Sequence, residues 1–194
     1  MTAASPVDEV VTLLRELRLP HMRGCAADLL ATAKAQRWDP AEAVRALLAE
    51  ELAGRQASSI NSRRKAAGFP TGKTFDAWDE TISSIPAPTQ RALQTLEWLE
   101  HRENVIVCGP SGTGKSHFLE ALGHAVIDHG AHVSWFSLEQ LGQVVRRGRA
   151  DDSTGRAIKR IMRADVIVID DIGLLPVAAE TAEALYRVVD AAYE

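Results

Sequence analysis

A chain of 194 residues, 46% of them hydrophobic and 25% charged, has room for one ordinary domain and a smaller companion, and this composition excludes a disordered tail. A net charge of −4 removes the strongly basic balance of a general nucleic-acid binder, so any such contact must come from local patches. No stretch approaches the ~18 apolar residues of a membrane span, and the N-terminus lacks the basic-then-apolar layout of a secretion signal, which predicts a cytoplasmic protein without membrane contact.

Ser5, Pro6 and Asp8 put a capping serine, a first-turn proline and an early acid ahead of Val10, Val11, Leu14 and Leu17 at helical spacing. This predicts an amphipathic helix that ends before Pro20. A second helix is predicted from Met22 to about Gln36, and Asp39 to Glu42 forms a capping box for a third that reaches about Leu52. Cys25 and Cys108 sit among apolar or small residues, which predicts two reduced thiols in packed surroundings.

From Gly54 to Thr74 come Arg55, Arg63, Arg64, Lys65 and Lys73 with no acid, a local charge of +5. A solvated helix end with a polar linker, and a contact to phosphate backbones, fit this patch equally. Gly68 to Gly72 break regular structure, and Phe75, Trp78, Ile82 and Ile85 follow in a mixed stretch read as a linker that packs onto the next domain. Stacking of these aromatics on a nucleotide base is the alternative. Thr89 to His101 is predicted as a further helix.

Beyond it strand and helix alternate: a strand at Val105–Cys108, a helix from Lys115 to Asp128, a strand from His132 to Phe136, a helix near Leu138 to Arg146, and a strand at Val166–Ile169. Short β-rich runs separated by helices predict an α/β fold with a parallel, doubly wound sheet.

Gly109, Pro110, Ser111, Gly112, Thr113, Gly114, Lys115 and Ser116 satisfy the P-loop pattern in full, between a strand and a helix as its mechanism requires. The glycines let backbone amides wrap closely round the phosphates of ATP, and the helix start adds its positive end. Lys115 is expected to reach the β- and γ-phosphates, and Ser116 to hold Mg2+ through its hydroxyl. The apolar run Val166–Ile169 ends in Asp170 and Asp171. In a parallel sheet the carboxyl ends of the strands form the binding edge, which assigns Asp170 to the metal's water shell and Asp171 to polarising the attacking water.

His117, His124, His129 and His132 are spaced by seven, five and three, which does not set a metal-ligand pair four apart on one helix face, and they are read as surface or packing residues. Arg146, Arg147 and Arg149 form a second basic cluster beside Asp151 and Asp152, equally consistent with a charge-balanced turn and with DNA contact.

With these motifs in place the chain resembles the IstB family, AAA+ ATPase helpers of insertion-sequence transposition related to the DnaC-type helicase loaders. The likeness rests on Leu17 to Met22, on Glu103 to His117 through the P-loop, on Glu120 to His124 and on Ala164 to Leu175. It implies a P-loop NTPase of AAA+ type, incomplete at its C-terminus, behind a small all-α domain. The expected division is a helical DNA- or partner-binding module over 1–68, a linker and docking helix over 69–102 and the ATPase core over 103–194.

The resemblance further implies ATP hydrolysis, assembly into homo-oligomers when full length, binding to duplex DNA, and recruitment or stimulation of the transposase of the same element. Carried over by position, Lys115 and Ser116 take the Walker A roles with His117 beside them, Asp170 the magnesium role and Asp171 the base role. Arg55, Arg63, Arg64, Lys65, Arg146, Arg147 and Arg149 are DNA-binding candidates without a motif match. Many relatives carry glutamate where Asp171 stands, which predicts slow hydrolysis. Relatives also continue beyond the helix of Ala178 to Ala192 into a sensor strand and arginines that act across subunits, so an incomplete sheet with unpaired edges is expected. A helicase loader is the alternative within the fold, and a small-molecule kinase the alternative from another class.

Overall fold

The computed structural model describes residues 5–150, 153–173 and 178–193, which fall into two compact units, Met1–Asn61 and Ser62–Glu194. The first unit is all helical. α1 (Pro6–Glu16) opens with the predicted cap: the Ser5 hydroxyl accepts from the Asp8 amide, and the Asp8 carboxylate accepts from the Ser5 amide in return. α2 (Pro20–Gln36) begins at Leu19, which has no capping side chain.

Its first amides are satisfied from α3 (Pro40–Ala67): the Glu51 carboxylate accepts from the His21 and Met22 amides, each at 2.9 Å. Burial works to raise the Glu51 pKa, but bonds from Met22, Arg55 and His21 outweigh it and hold the carboxyl below its ordinary range. Leu14, Met22, Ala26 and Leu47 form the core of this unit.

α3 corrects the expectation of a helix that stops near Leu52, because it continues to Ala67 through the basic segment. Alanine, arginine, lysine and glutamine keep helical propensity through that run. Gly54 lies within it at a point where the His21 ring leaves no room for a side chain, since a Cβ would come within 2.2 Å of that ring.

In the second unit β1 (Val133–Ser137) and β2 (Val166–Asp170) pair in parallel, with Val133 opposite Val166 and Ser137 opposite Asp170. Alternation along the strands divides the packing between two faces. Val133 and Trp135 meet α6 (Lys115–Asp128) and Phe69, while Phe136, Ile167 and Ile169 meet a cluster of Leu141, Val145, Ile158, Ile161, Ala184 and Val188. These last come from α7 (Leu138–Ala150), α8 (Thr154–Ile161) and α9 (Ala179–Tyr193). α8 was not expected, and α7 runs past Arg146.

Three further expectations are corrected. Residues 103–110 form no strand: among the described residues no strand pairs with them, and Ile106 is 85% exposed while Val105 and Val107 are half-buried. The helix predicted over Thr89–His101 is two, α4 (Ala87–Gln94) and α5 (Glu97–Glu100), divided where Leu96 takes φ of 64°. Cys108 is exposed and Cys25 half-buried, so only Cys25 has packed surroundings, and its thiol is pushed up by burial. Among the described residues no helix is long and apolar enough to cross a membrane.

Candidate nucleotide-binding site

The eight P-loop residues lead directly into α6. Gly114 is its N-cap with φ of 85°, and the Phe118 amide donates to the Gly114 carbonyl at 2.9 Å, starting the helix under the loop. Only glycine takes this left-handed conformation without strain, and here it also lacks room, since a Cβ would stand 3.2 Å from the Trp78 ring. A Cβ on Gly109 would enter the loop, 3.5 Å from Thr113 Oγ1 and 3.9 Å from Lys115 Cδ.

A side chain at Gly109 would thus border Thr113 and Lys115 on the face of the loop where a phosphate site needs open backbone. The Lys115 ammonium and the Thr113 hydroxyl both donate to the Pro110 carbonyl, at 2.7 and 2.9 Å, which holds the cation inside the loop. Ser116 and His117 stand in the first turn of α6. The residues present fit ATP, with Ser116 Oγ and the Asp170 carboxylate as oxygen donors of the kind Mg2+ takes.

Asp170 ends β2, opposite Ser137 of β1, at the carboxyl edge of the sheet. Asp171 follows with φ of 60° and is exposed, its amide donating to Asp170 Oδ1 at 2.9 Å. The two carboxylates are therefore not equivalent: Asp170 is half-buried at the strand end and Asp171 is exposed beyond it.

The densest structure around the P-loop was only partly expected. Residues 69–78 run back along α6 as a strap, from its middle to its start. Phe69 lies on the His124 ring at 4.3 Å between centroids, and a Cβ on Gly123 would strike it. Thr71 and Gly72 donate to the Glu120 carboxylate, the Thr71 hydroxyl at 2.6 Å. His117 Nε2 donates to the Thr74 carbonyl at 3.2 Å, and Phe75 meets Phe118 edge-on at 5.6 Å.

Trp78 closes the series, standing edge-on to His117 at 5.0 Å and tilted against Phe118 at 5.4 Å. Its indole Nε1 donates to Gln90 Oε1 at 2.7 Å, and the fully buried Gln90 donates onward to the Glu80 and Ile85 carbonyls. Phe75 and Trp78 thus dock on the core as expected of the linker, whereas Ile82 is 83% exposed and does not. Glu120 and Gln90 were not foreseen as organisers, although an acid inside the run Phe118 to Leu122 was a visible signal.

His117, His124 and His132 serve in packing or hydrogen bonding, and His129 is exposed. His124 is buried on Phe69, both ring nitrogens lack partners among the described residues, and its pKa is lowered, first by desolvation and then by Arg64. His132 pairs with Asp165. Among the basic candidates, Arg55 is engaged by Glu51 at 2.8 Å, and Arg64 Nη2 donates to both oxygens of Asp128 at 2.7 and 2.9 Å. Arg63, Lys65, Arg146 and Arg147 have no ion-pair partner among the described residues, and the Arg149 side chain lies outside them.

A P-loop seated on a helix that packs against a parallel sheet, with a carboxylate at the strand end, defines a P-loop nucleotide-binding protein. The chain is 31% identical over 187 residues to an IS21 insertion-sequence ATP-binding protein of Pseudomonas aeruginosa, an alignment covering 96% of this chain and 71% of that one. An insertion-sequence ATP-binding protein of Mycobacterium tuberculosis is 31% identical over 91% of this chain and 70% of its own length. An IS21-like ATP-binding protein of Bacteroides fragilis is 27% identical over 97% of this chain and 96% of its own. The family model of the IstB-like ATP binding protein matches residues 12–194, and the chain belongs to that family.

Proposed function

We propose that this chain is an ATP-dependent DNA-binding helper of transposition, which assembles as a homo-oligomer on duplex target DNA and recruits or stimulates the transposase of its element. The observation that carries this reading is the intact P-loop at the head of α6 in a chain of the IstB-like family. The named relatives belong to insertion sequences, which supports transposition over helicase loading.

In this reading Lys115 and the amides of residues 109–116 grip the triphosphate, and Ser116 and Asp170 hold Mg2+, which supplies neutralising charge to the phosphates. Asp171, exposed beyond the strand end, orients and polarises the attacking water. Its side chain is one methylene shorter than glutamate, so hydrolysis is expected to be slow. Arg63, Lys65, Arg146 and Arg147 supply phosphate contacts to DNA, while Arg55 and Arg64 are already committed to carboxylates.

The test is fluorescence-anisotropy binding of labelled duplex and single-stranded DNA, with and without Mg·ATP, at two salt concentrations, beside Lys115→Ala. ATP-dependent, salt-sensitive duplex binding lost in the variant is the expected result. Preference for single strands would replace this reading with the helicase-loader one, and phosphate transfer to a metabolite instead of water would replace it with a kinase.

A further inference from the structure

Glu120 is 1% exposed, on the second turn of α6, among Phe118, Ala121 and Leu122. A carboxylate taken out of water is costly, and an apolar residue at this position would be buried without that cost. What Glu120 has in return is a set of three donors outside its own helix: the Thr71 amide at 3.1 Å, the Thr71 hydroxyl at 2.6 Å, and the Gly72 amide. These residues have no helix or strand of their own. The clamp fixes a stretch of chain that local structure leaves free.

Seven residues after Thr71 that stretch delivers Trp78, whose ring edge lies 3.2 Å from the Cβ position of Gly114, the last glycine of the P-loop. Between clamp and ring, Thr74 is bonded to His117 and Phe75 is packed on Phe118, so the connection is in contact with α6 along its length. The other flank of the P-loop, residues 103–108, has no strand partner among the described residues. The loop is thus shaped from the α6 side.

Resting on the reading of the P-loop as an ATP site, we propose that Glu120 is a positioning residue for nucleotide binding: through Thr71 and Gly72 it holds Trp78 against Gly114 and keeps the loop in its phosphate-receiving shape. It touches no phosphate itself. Its effect is a coupling free energy transmitted along the strap.

The experiment is a double-mutant cycle on Mg·ATP affinity, with thermal melts to confirm folding. Glu120→Ala is expected to weaken ATP about tenfold and Trp78→Ala by a similar factor, with the double variant no weaker than the weaker single, because both release the same strap. Glu120→Gln, whose carbonyl can still accept from both amides, is expected to recover most of the loss. Should Glu120→Ala not fold, Thr71→Val removes one donor at constant shape and enters the same cycle, with about threefold expected.

Unchanged ATP affinity in the Glu120 and Thr71 variants, or losses that multiply in the double variant, would overturn the inference while Lys115→Ala still abolishes binding. Wild-type binding indifferent to Lys115→Ala would sink the P-loop reading itself, and this inference with it.

Discussion

The two flanks of the P-loop are built differently. On the N-terminal side, residues 103–108 have neither helix nor strand and no strand partner among the described residues, and Ile106 is 85% exposed. On the C-terminal side, α6 is buried from Phe118 to Ile127, save for the half-buried Leu119 and Ala125, and carries the strap of residues 69–78 along its length. A phosphate-binding loop needs its amides held in a concave array before the ligand arrives, since ordering them at binding would cost affinity. Here the helix and the strap provide that order.

Substitutions on the two flanks should therefore differ in kind. The largest effect is expected from Gly114→Ala, which combines left-handed backbone strain with a collision against Trp78. Stability should fall by roughly 2–4 kcal/mol in denaturant titration, and ATP binding should go with it. Gln90→Leu comes next: it orphans the Trp78 indole N–H and two carbonyls. About 2 kcal/mol is expected, and a smaller loss would mean that the segment 80–90 does not hold Trp78 as described.

His124 sharpens the same side through pH. Its folded pKa lies below the ordinary imidazole value of about 6.5, so the unfolded chain takes up the proton first. Its contribution is fully present above that value and is lost as pH falls through it toward the folded pKa. His124→Phe, which keeps an aromatic ring on Phe69, should flatten the pH dependence of the melting temperature between neutral pH and 5, without lowering stability at neutral pH. The smallest effect is expected on the other flank, where Ile106→Ser should change stability by less than about 0.5 kcal/mol and leave ATP affinity unaltered. A large loss there would show that flank to be structurally engaged.

The same asymmetry explains what the sequence made legible. The strand ending in Asp170, the capped start of α1 and the span of α6 are written in local residue types and periodicity, and each stands where it was expected, whereas the P-loop meets its expected helix but not its expected strand. The failures concern neighbours in space. Val105–Cys108 has a strand's composition, but a strand exists only with a partner, which local sequence does not report. α3 passes Leu52 and Gly54, and the His21 ring that fills the space over Gly54 is a contact that spacing along the helix cannot reveal.

Leu96 divides the predicted helix of 89–101 by taking a left-handed conformation that its residue type disfavours. The clamp at Glu120 joins positions 49 residues apart, so the acid is visible in the sequence but its partners are not. Of the basic candidates, charge alone did not separate Arg64, paired with Asp128, from Arg147, which has no ion-pair partner among the described residues.

The most direct test is amide hydrogen exchange of residues 109–116 with and without Mg·ATP, in the wild-type chain and in Lys115→Ala. Slowed exchange across these amides (Pro110 has none) on adding ATP, absent in the variant, is the predicted result, because those N–H groups are the proposed phosphate donors. Exchange at 109–116 that is indifferent to ATP would contradict the account.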